Sequence, residues 1–153
     1  MILVLCGTQK QDFSRMIKEV EKLSTFEKII VQAGHTIYQS KTMEIFDFVT
    51  KDELTRLYKQ SDMVITHAGA GSMVQGIKEK RKMIVFPRRS KYGEHVNDHQ
   101  VELATKFADL DYLEIYKEGD NIEELYNKVK DINFQEWNLK SNVVNLISEF
   151  IES

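Results

Sequence analysis

The run Met63-Val64-Ile65-Thr66 gives way at once to His67-Ala68-Gly69-Ala70-Gly71-Ser72, and this handover constrains the chain more than any other stretch. Apolar and β-branched residues in succession read as a buried strand. Gly69 and Gly71 then allow main-chain geometries closed to other residues and let a ligand come close to the backbone. Ser72 is placed to cap the helix that follows. The first free N–H groups of that helix, beginning near Ser72, turn the positive end of its dipole toward the space above the strand. A phosphate suits such a turn.

A chain of 153 residues that is 42% hydrophobic is sized for one domain over residues 1–153, with a full core. Its 21 Lys and Arg against 24 Asp and Glu give a formal net charge of -3, so the overall field disfavours nucleic acid and any anion site must be local. The lone cysteine, Cys6, lies within the apolar run Ile2 to Cys6 and reads as a buried thiol, with no disulfide partner in the chain. Met1 leads straight into that run, without a basic segment or a long apolar stretch. The expectation is therefore a cytoplasmic protein that reaches a membrane only through a partner or a surface patch.

Apolar runs alternate with amphipathic stretches throughout, the pattern of a parallel sheet with helices on both faces. Strands are expected near Ile2–Cys6, Lys28–Gln32, Ile45–Phe48, Met63–Thr66, Met83–Phe86 and Tyr112–Ile115. Thr50 with Glu53, and Asp120 with Glu123, have capping-box spacing and predict helix starts. Phe13, Met16, Ile17, Val20 and Leu23 share one face of a helix over 12–23 and read as core. A final amphipathic helix over about 141–152, striped by Val143, Val144, Ile147, Phe150 and Ile151, either closes the domain or docks on a partner. Pro87 ends the fifth strand and opens a polar loop from Arg88 to Gln100.

Ligands of open parallel sheets bind outside the carboxyl ends of the strands, where strand order reverses. Gly7-Thr8-Gln9, Gln32-Ala33-Gly34-His35, His67 to Ser72 and the Arg88–Gln100 loop all fall at such ends, and they hold all four histidines. That concentration favours a ligand site. A dinucleotide fingerprint fails because the glycine turn is the fourth and Val74 stands at the third-glycine position. A P-loop fails for want of Lys-Ser/Thr, and a nucleophile elbow fails at Ala70 and Val74. His95 and His99 are four apart and would share a helix face beside Glu94 and Asp98, but the basic surroundings disfavour a cation and no metal is expected. Arg88, Arg89 and Lys91 read instead as counter-charges to a diphosphate or an anionic acceptor.

The order Gly7-Thr8, Gln32-x-Gly34, Ser61-Asp62 leading into His67-Ala68-Gly69-Ala70-Gly71-Ser72, then Pro87-Arg88 and Glu94-His95-x-x-Asp98-His99-Gln100, resembles the glycosyltransferase family 28 C-terminal domain. More narrowly, it is similar to the free-standing small-subunit branch, which includes the catalytic subunit of the dolichol-linked N-acetylglucosamine transferase and subunits of split capsule and exopolysaccharide galactosyltransferases. The likeness runs from about Met1 to Asp131.

The resemblance implies a Rossmann-like α/β domain equivalent to the C-terminal half of a GT-B glycosyltransferase. The partner would be a membrane-associated, acceptor-binding subunit carrying the other half. UDP-sugar would be the donor, with no cofactor and no obligatory metal, and a lipid-linked saccharide the acceptor. The resemblance places the diphosphate on the backbone of Gly69, Ala70, Gly71 and Ser72 with His67 beside it, and counts Gly7, Thr8, Ala68 and Arg88 among the donor-binding residues. It places Gln32 and Gly34 near the uracil or ribose, and Asp98, His99 and Gln100 at the sugar hydroxyls. Gln75 stands where many relatives carry a ribose-binding glutamate, and it accepts without charge. An inverting transfer needs stabilisation of the leaving diphosphate and a base for the acceptor hydroxyl. His67, Glu94 and His95 are the catalytic candidates, unless the partner supplies the base. The leading expectation is β-1,4 transfer of galactose in surface polysaccharide assembly. The alternatives are an N-acetylglucosamine transferase subunit and a noncatalytic stabilising or enhancer subunit.

Overall fold

Alternation inside the first apolar run decides the layering. In the computed structural model, which describes residues 1–137, β1 (Ile2–Leu5) sends Ile2 and Val4 to one face and Leu3 and Leu5 to the other, and all four are buried. A strand buried on both faces belongs inside a parallel sheet covered on both sides. β2 (Ile29–Gln32), β3 (Glu44–Phe46), β4 (Met63–His67), β5 (Lys82–Phe86) and β6 (Glu114–Ile115) complete such a sheet, in the order β3-β2-β1-β4-β5-β6. Every pairing is parallel, with Ile2 opposite Ile29 on one side and Met63 on the other.

Helices cover both faces. α1 (Ser14–Glu21) and α5 (Ile122–Lys130) bury Met16, Ile17, Val20, Ile122, Tyr126 and Val129 against Ile2, Val4, Val31, Ile65 and Ile84. α2 (Lys51–Gln60), α3 (Ala70–Lys78) and α4 (His99–Asp109) bury Leu57, Tyr58, Met73, Ile77, Leu103 and Phe107 against Leu3, Leu5, Val64, Met83 and Val85. Among the described residues, six strands fall where the apolar runs lie and five α-helices fill the gaps. Phe13, Met16, Ile17, Val20 and Leu23 are all fully buried, as a core stripe requires. Among the described residues no helix is long and apolar enough to cross a membrane. The expected final helix lies outside the described residues.

Two helix starts differ from the expected ones, and the local backbone explains both. The Thr50 hydroxyl caps α2 by accepting the Glu53 N–H, as its spacing predicts. At α5 the cap is Asn121, whose Oδ1 accepts the Glu124 N–H, because the Asp120 carboxylate closes the preceding turn on the Lys117 N–H. α3 begins at Ala70 with extended Gly69 as its cap, so Ser72 sits inside the first turn rather than before it.

The order of strands sets the site. The chain steps outward from β1 through β2 to β3, then returns to lay β4 on the other side of β1. The loops leaving β1 and β4 therefore diverge, and a crevice opens above their carboxyl ends.

Candidate functional site

His67, the last residue of β4, stands at the floor of that crevice between two glycines. A Cβ on Gly7, which leaves β1 with φ +80°, would overlap the His67 ring, and so would a Cβ on Gly69. Both glycines are thus demanded by the close approach of two main-chain segments to one imidazole. Gly71 differs, since a Cβ there would meet nothing within 4 Å. It lies exposed in the first turn of α3, where Met73 is the first residue to donate back along the chain, to Gly69 O at 3.1 Å. The N–H groups of Ala70, Gly71 and Ser72 precede that bond and face the open crevice with the positive end of the helix. The Tyr58 hydroxyl holds the turn from behind by donating to Ser72 O at 2.9 Å.

His67 is buried and joined to two side chains. Its Nε2 lies 3.3 Å from Ser72 Oγ and its Nδ1 lies 3.3 Å from Gln100 Nε2. Burial first, then the nearby Arg88 and His95, push its pKa down to about 3, so the ring is neutral at physiological pH. Gln100, expected to meet sugar hydroxyls, is turned inward instead. Its Oε1 accepts the N–H groups of Ala68 and Arg88, both at 3.1 Å, and so ties the end of β4 to the loop after β5.

Gln32 also works as a clamp rather than a group facing a base or ribose. Its Oε1 accepts the Gly7 N–H at 3.1 Å, while its Nε2 donates to Gly7 O at 3.2 Å and Asp47 O at 3.0 Å. The amide joins the ends of three strands and is buried in doing so. Gly34, at φ +59°, passes so close to Gly7 O that a Cβ would overlap it. Thr8 and His35 are exposed, and His35 meets Phe48 edge-on at 5.4 Å between ring centres.

The Arg88–Gln100 loop turns two further candidates inward. Arg88 is 1% exposed, and its guanidinium donates to the carbonyls of Cys6 at 2.7 Å, Gln11 at 2.8 Å and Glu94 at 3.0 Å, over the Phe13 ring. It braces the main chain beneath the crevice. Glu94, a candidate base, is 3% exposed and held by a bidentate pair with Arg15, at 2.8 and 2.9 Å, and by the Arg89 N–H at 3.0 Å. Arg15 also donates to Pro87 O at 3.1 Å, a role that no sequence motif announces.

The other loop residues stand nearer solvent. His95 Nδ1 accepts the Asn97 N–H at 3.3 Å, and burial with the nearby Arg88 and His99 lowers its pKa. His99 opens α4 while His95 lies in the preceding turn, so the two do not share a helix face. Among the described residues no three metal-binding side chains come together. Asp98 is exposed, and the Ser90 N–H, 2.9 Å from its Oδ1, holds its carboxyl below the usual range. The Gln75 amide donates to the Thr55 hydroxyl on α2 at 3.0 Å, which ties the side chain toward α2.

A family model described as glycosyltransferase family 28 C-terminal domain matches residues 1–151. The chain is 26% identical over 115 residues to the UDP-N-acetylglucosamine transferase subunit ALG13 of Candida albicans, covering 73% of this chain and 37% of that protein. It is 38% identical over 69 residues to the subunit of the same name from Saccharomyces cerevisiae, covering 44% and 31%. The chain thus spans about a third of the length of these fungal relatives. Its fold superposes on the NMR solution structure of ALG13 with a TM-score of 0.60 at 20% identity, covering 99% of this chain and 95% of that one. It also superposes on the glycotransferase of kitacinnamycin with a TM-score of 0.62 at 13% identity, covering 99% of this chain and 38% of that one.

Proposed function

The chain belongs to the glycosyltransferase family 28 C-terminal domains, and on that premise we propose that it is the donor-binding half of a UDP-N-acetylglucosamine transferase. The observation that carries this reading is the open space over Gly71 at a helix N-terminus, set at the reversal of strand order. A diphosphate laid there receives the N–H groups of Ala70, Gly71 and Ser72. The buried Arg88 guanidinium behind the crevice adds a fixed positive charge without touching the ligand. Such preorganised donors stabilise the charge that grows on the leaving UDP. His67 contributes as a neutral polar group rather than as a cation.

The relatives' names favour UDP-N-acetylglucosamine over the UDP-galactose expected from sequence. The acceptor, by this reading, is a lipid-linked saccharide, and its hydroxyl is deprotonated by a group outside this chain. In support, each of the three candidate bases is already engaged: Glu94 is paired with Arg15 and accepts the Arg89 N–H, His67 Nδ1 faces an NH2 donor, and His95 Nδ1 faces an N–H. A membrane-associated partner carrying the acceptor side fits the same rim of the sheet, where Ile37 is 90% exposed, Val96 79% and Phe48 51%. The protein would then work in the cytoplasm, at the membrane through its partner.

Calorimetric titration with UDP, UDP-N-acetylglucosamine and UDP-galactose tests the reading. Saturable UDP binding, with the N-acetylglucosamine donor competing better than the galactose donor in the presence of a co-expressed acceptor subunit, is the expected result. Absence of uridine-nucleotide binding with and without that subunit would overturn it.

A further inference from the structure

The crevice holds a chain of three side chains, Gln100, His67 and Ser72, in which the direction of every hydrogen bond follows from chemistry alone. Gln100 Oε1 faces the main-chain N–H groups of Ala68 and Arg88. Main-chain amides only donate, so the atom facing them is the oxygen, and the atom 3.3 Å from His67 Nδ1 is the NH2. That NH2 also only donates, so Nδ1 presents a lone pair. A neutral imidazole with a bare Nδ1 carries its proton on Nε2. Nε2 stands 3.3 Å from Ser72 Oγ, which therefore accepts and keeps its own proton for another partner.

We propose that Gln100 is a positioning residue: by fixing the proton of His67 on Nε2, it makes the Ser72 hydroxyl a donor to the ligand's phosphate. This rests on the reading of the crevice as a diphosphate site. Phosphate oxygens only accept, so the opposite tautomer would work against binding. With the proton on Nδ1, Nε2 would take the Ser72 hydrogen and leave only an oxygen lone pair facing the phosphate. Gln100 is suited to the choice because its oxygen is pinned by two strand ends and its amide cannot turn over without leaving both N–H groups buried and unpaired. Its 8% exposure keeps water from offering a substitute. Gly7 and Gly69 hold the ring in place from either side.

Gln100→Glu is the discriminating variant, since it replaces the NH2 by oxygen and retains an acceptor for Ala68 and Arg88. Long-range 1H–15N spectra of the ligand-free wild type are expected to give a bare Nδ1 and a protonated Nε2 for His67, and the variant is expected to carry a proton on Nδ1. In calorimetry with UDP, Gln100→Glu and Ser72→Ala should each weaken binding about tenfold, the double variant should lose little more, and Ser72→Thr should retain affinity. A wild-type Nδ1–H tautomer, or losses that simply add, would overturn the inference while leaving UDP binding in place. A wild type that binds no UDP would overturn the nucleotide reading and the phosphate role of Ser72 together. Should Gln100→Glu not fold, the wild-type spectrum and the two Ser72 variants decide the matter alone.

Discussion

Replacing Arg88 by methionine separates a brace from a ligand group. Met keeps much of the apolar stem over Phe13 but removes three donated hydrogen bonds, to the carbonyls of Cys6, Gln11 and Glu94, at 2.7 to 3.0 Å. Bonds from a charged donor contribute about 1.5–3 kcal/mol each. Part of that loss is offset, because Met carries no buried charge to desolvate, and desolvation is the leading cause of the lowered Arg88 pKa. A net destabilisation of about 3–5 kcal/mol follows, which for a chain this long lowers the melting temperature by roughly 10 °C. Urea unfolding gives the first quantity and calorimetric UDP titration, well below the melting point, gives the second. The structure predicts a large stability loss with UDP affinity of the folded fraction reduced by less than about tenfold, since only a remote charge is removed. Unchanged stability with UDP binding abolished would show that Arg88 meets the ligand and that its inward placement is wrong.

Glu94→Gln should weaken the pair with Arg15 and cost about 1–3 kcal/mol, while turnover by the chain reconstituted with its acceptor subunit persists. Loss of turnover at unchanged stability and UDP affinity would make Glu94 the base. Stability should also depend on pH through His67, whose pKa is about 3 when folded against an ordinary 6.5. The unfolded chain takes up a proton that the native chain refuses, so this contribution is complete above about pH 6.5. It falls by about 1.4 kcal/mol per pH unit between there and the folded value. His67→Gln should remove that part of the slope in denaturant titrations run across pH, and an identical slope in the variant would refute the buried neutral assignment.

The strands were legible because parallel central strands are apolar on both faces: Ile2 to Leu5 and Met63 to Ile65 leave no other placement. The gathering of glycines and histidines at strand ends was also legible, and it is what marks the crevice of the candidate site. The direction in which its polar side chains point was not. Gln32, Arg88 and Gln100 look like surface groups ready for a ligand, yet each turns inward to main-chain atoms 25, 82 and 32 residues away. Local spacing carries no information about such partners. Arg15 was missed for the same reason, since Glu94 is 79 residues distant and one arginine on an amphipathic helix reads as solvated. The start of α3 was misplaced by three residues because Ser is a stronger capping signal than Gly, whereas His67 draws Ser72 into the first turn.

The central claim is that a diphosphate rests on the N-terminus of α3, and Gly71→Leu tests it most directly. A Cβ at this position meets nothing within 4 Å, so the fold has no objection to a side chain that would fill the proposed phosphate space. Calorimetric titration of UDP into wild type and Gly71→Leu, with melting curves recorded alongside, should give a native melting temperature within a few degrees and UDP affinity reduced at least a hundredfold, about 2.7 kcal/mol. A folded Gly71→Leu protein that binds UDP as the wild type does would place the nucleotide elsewhere and contradict the account.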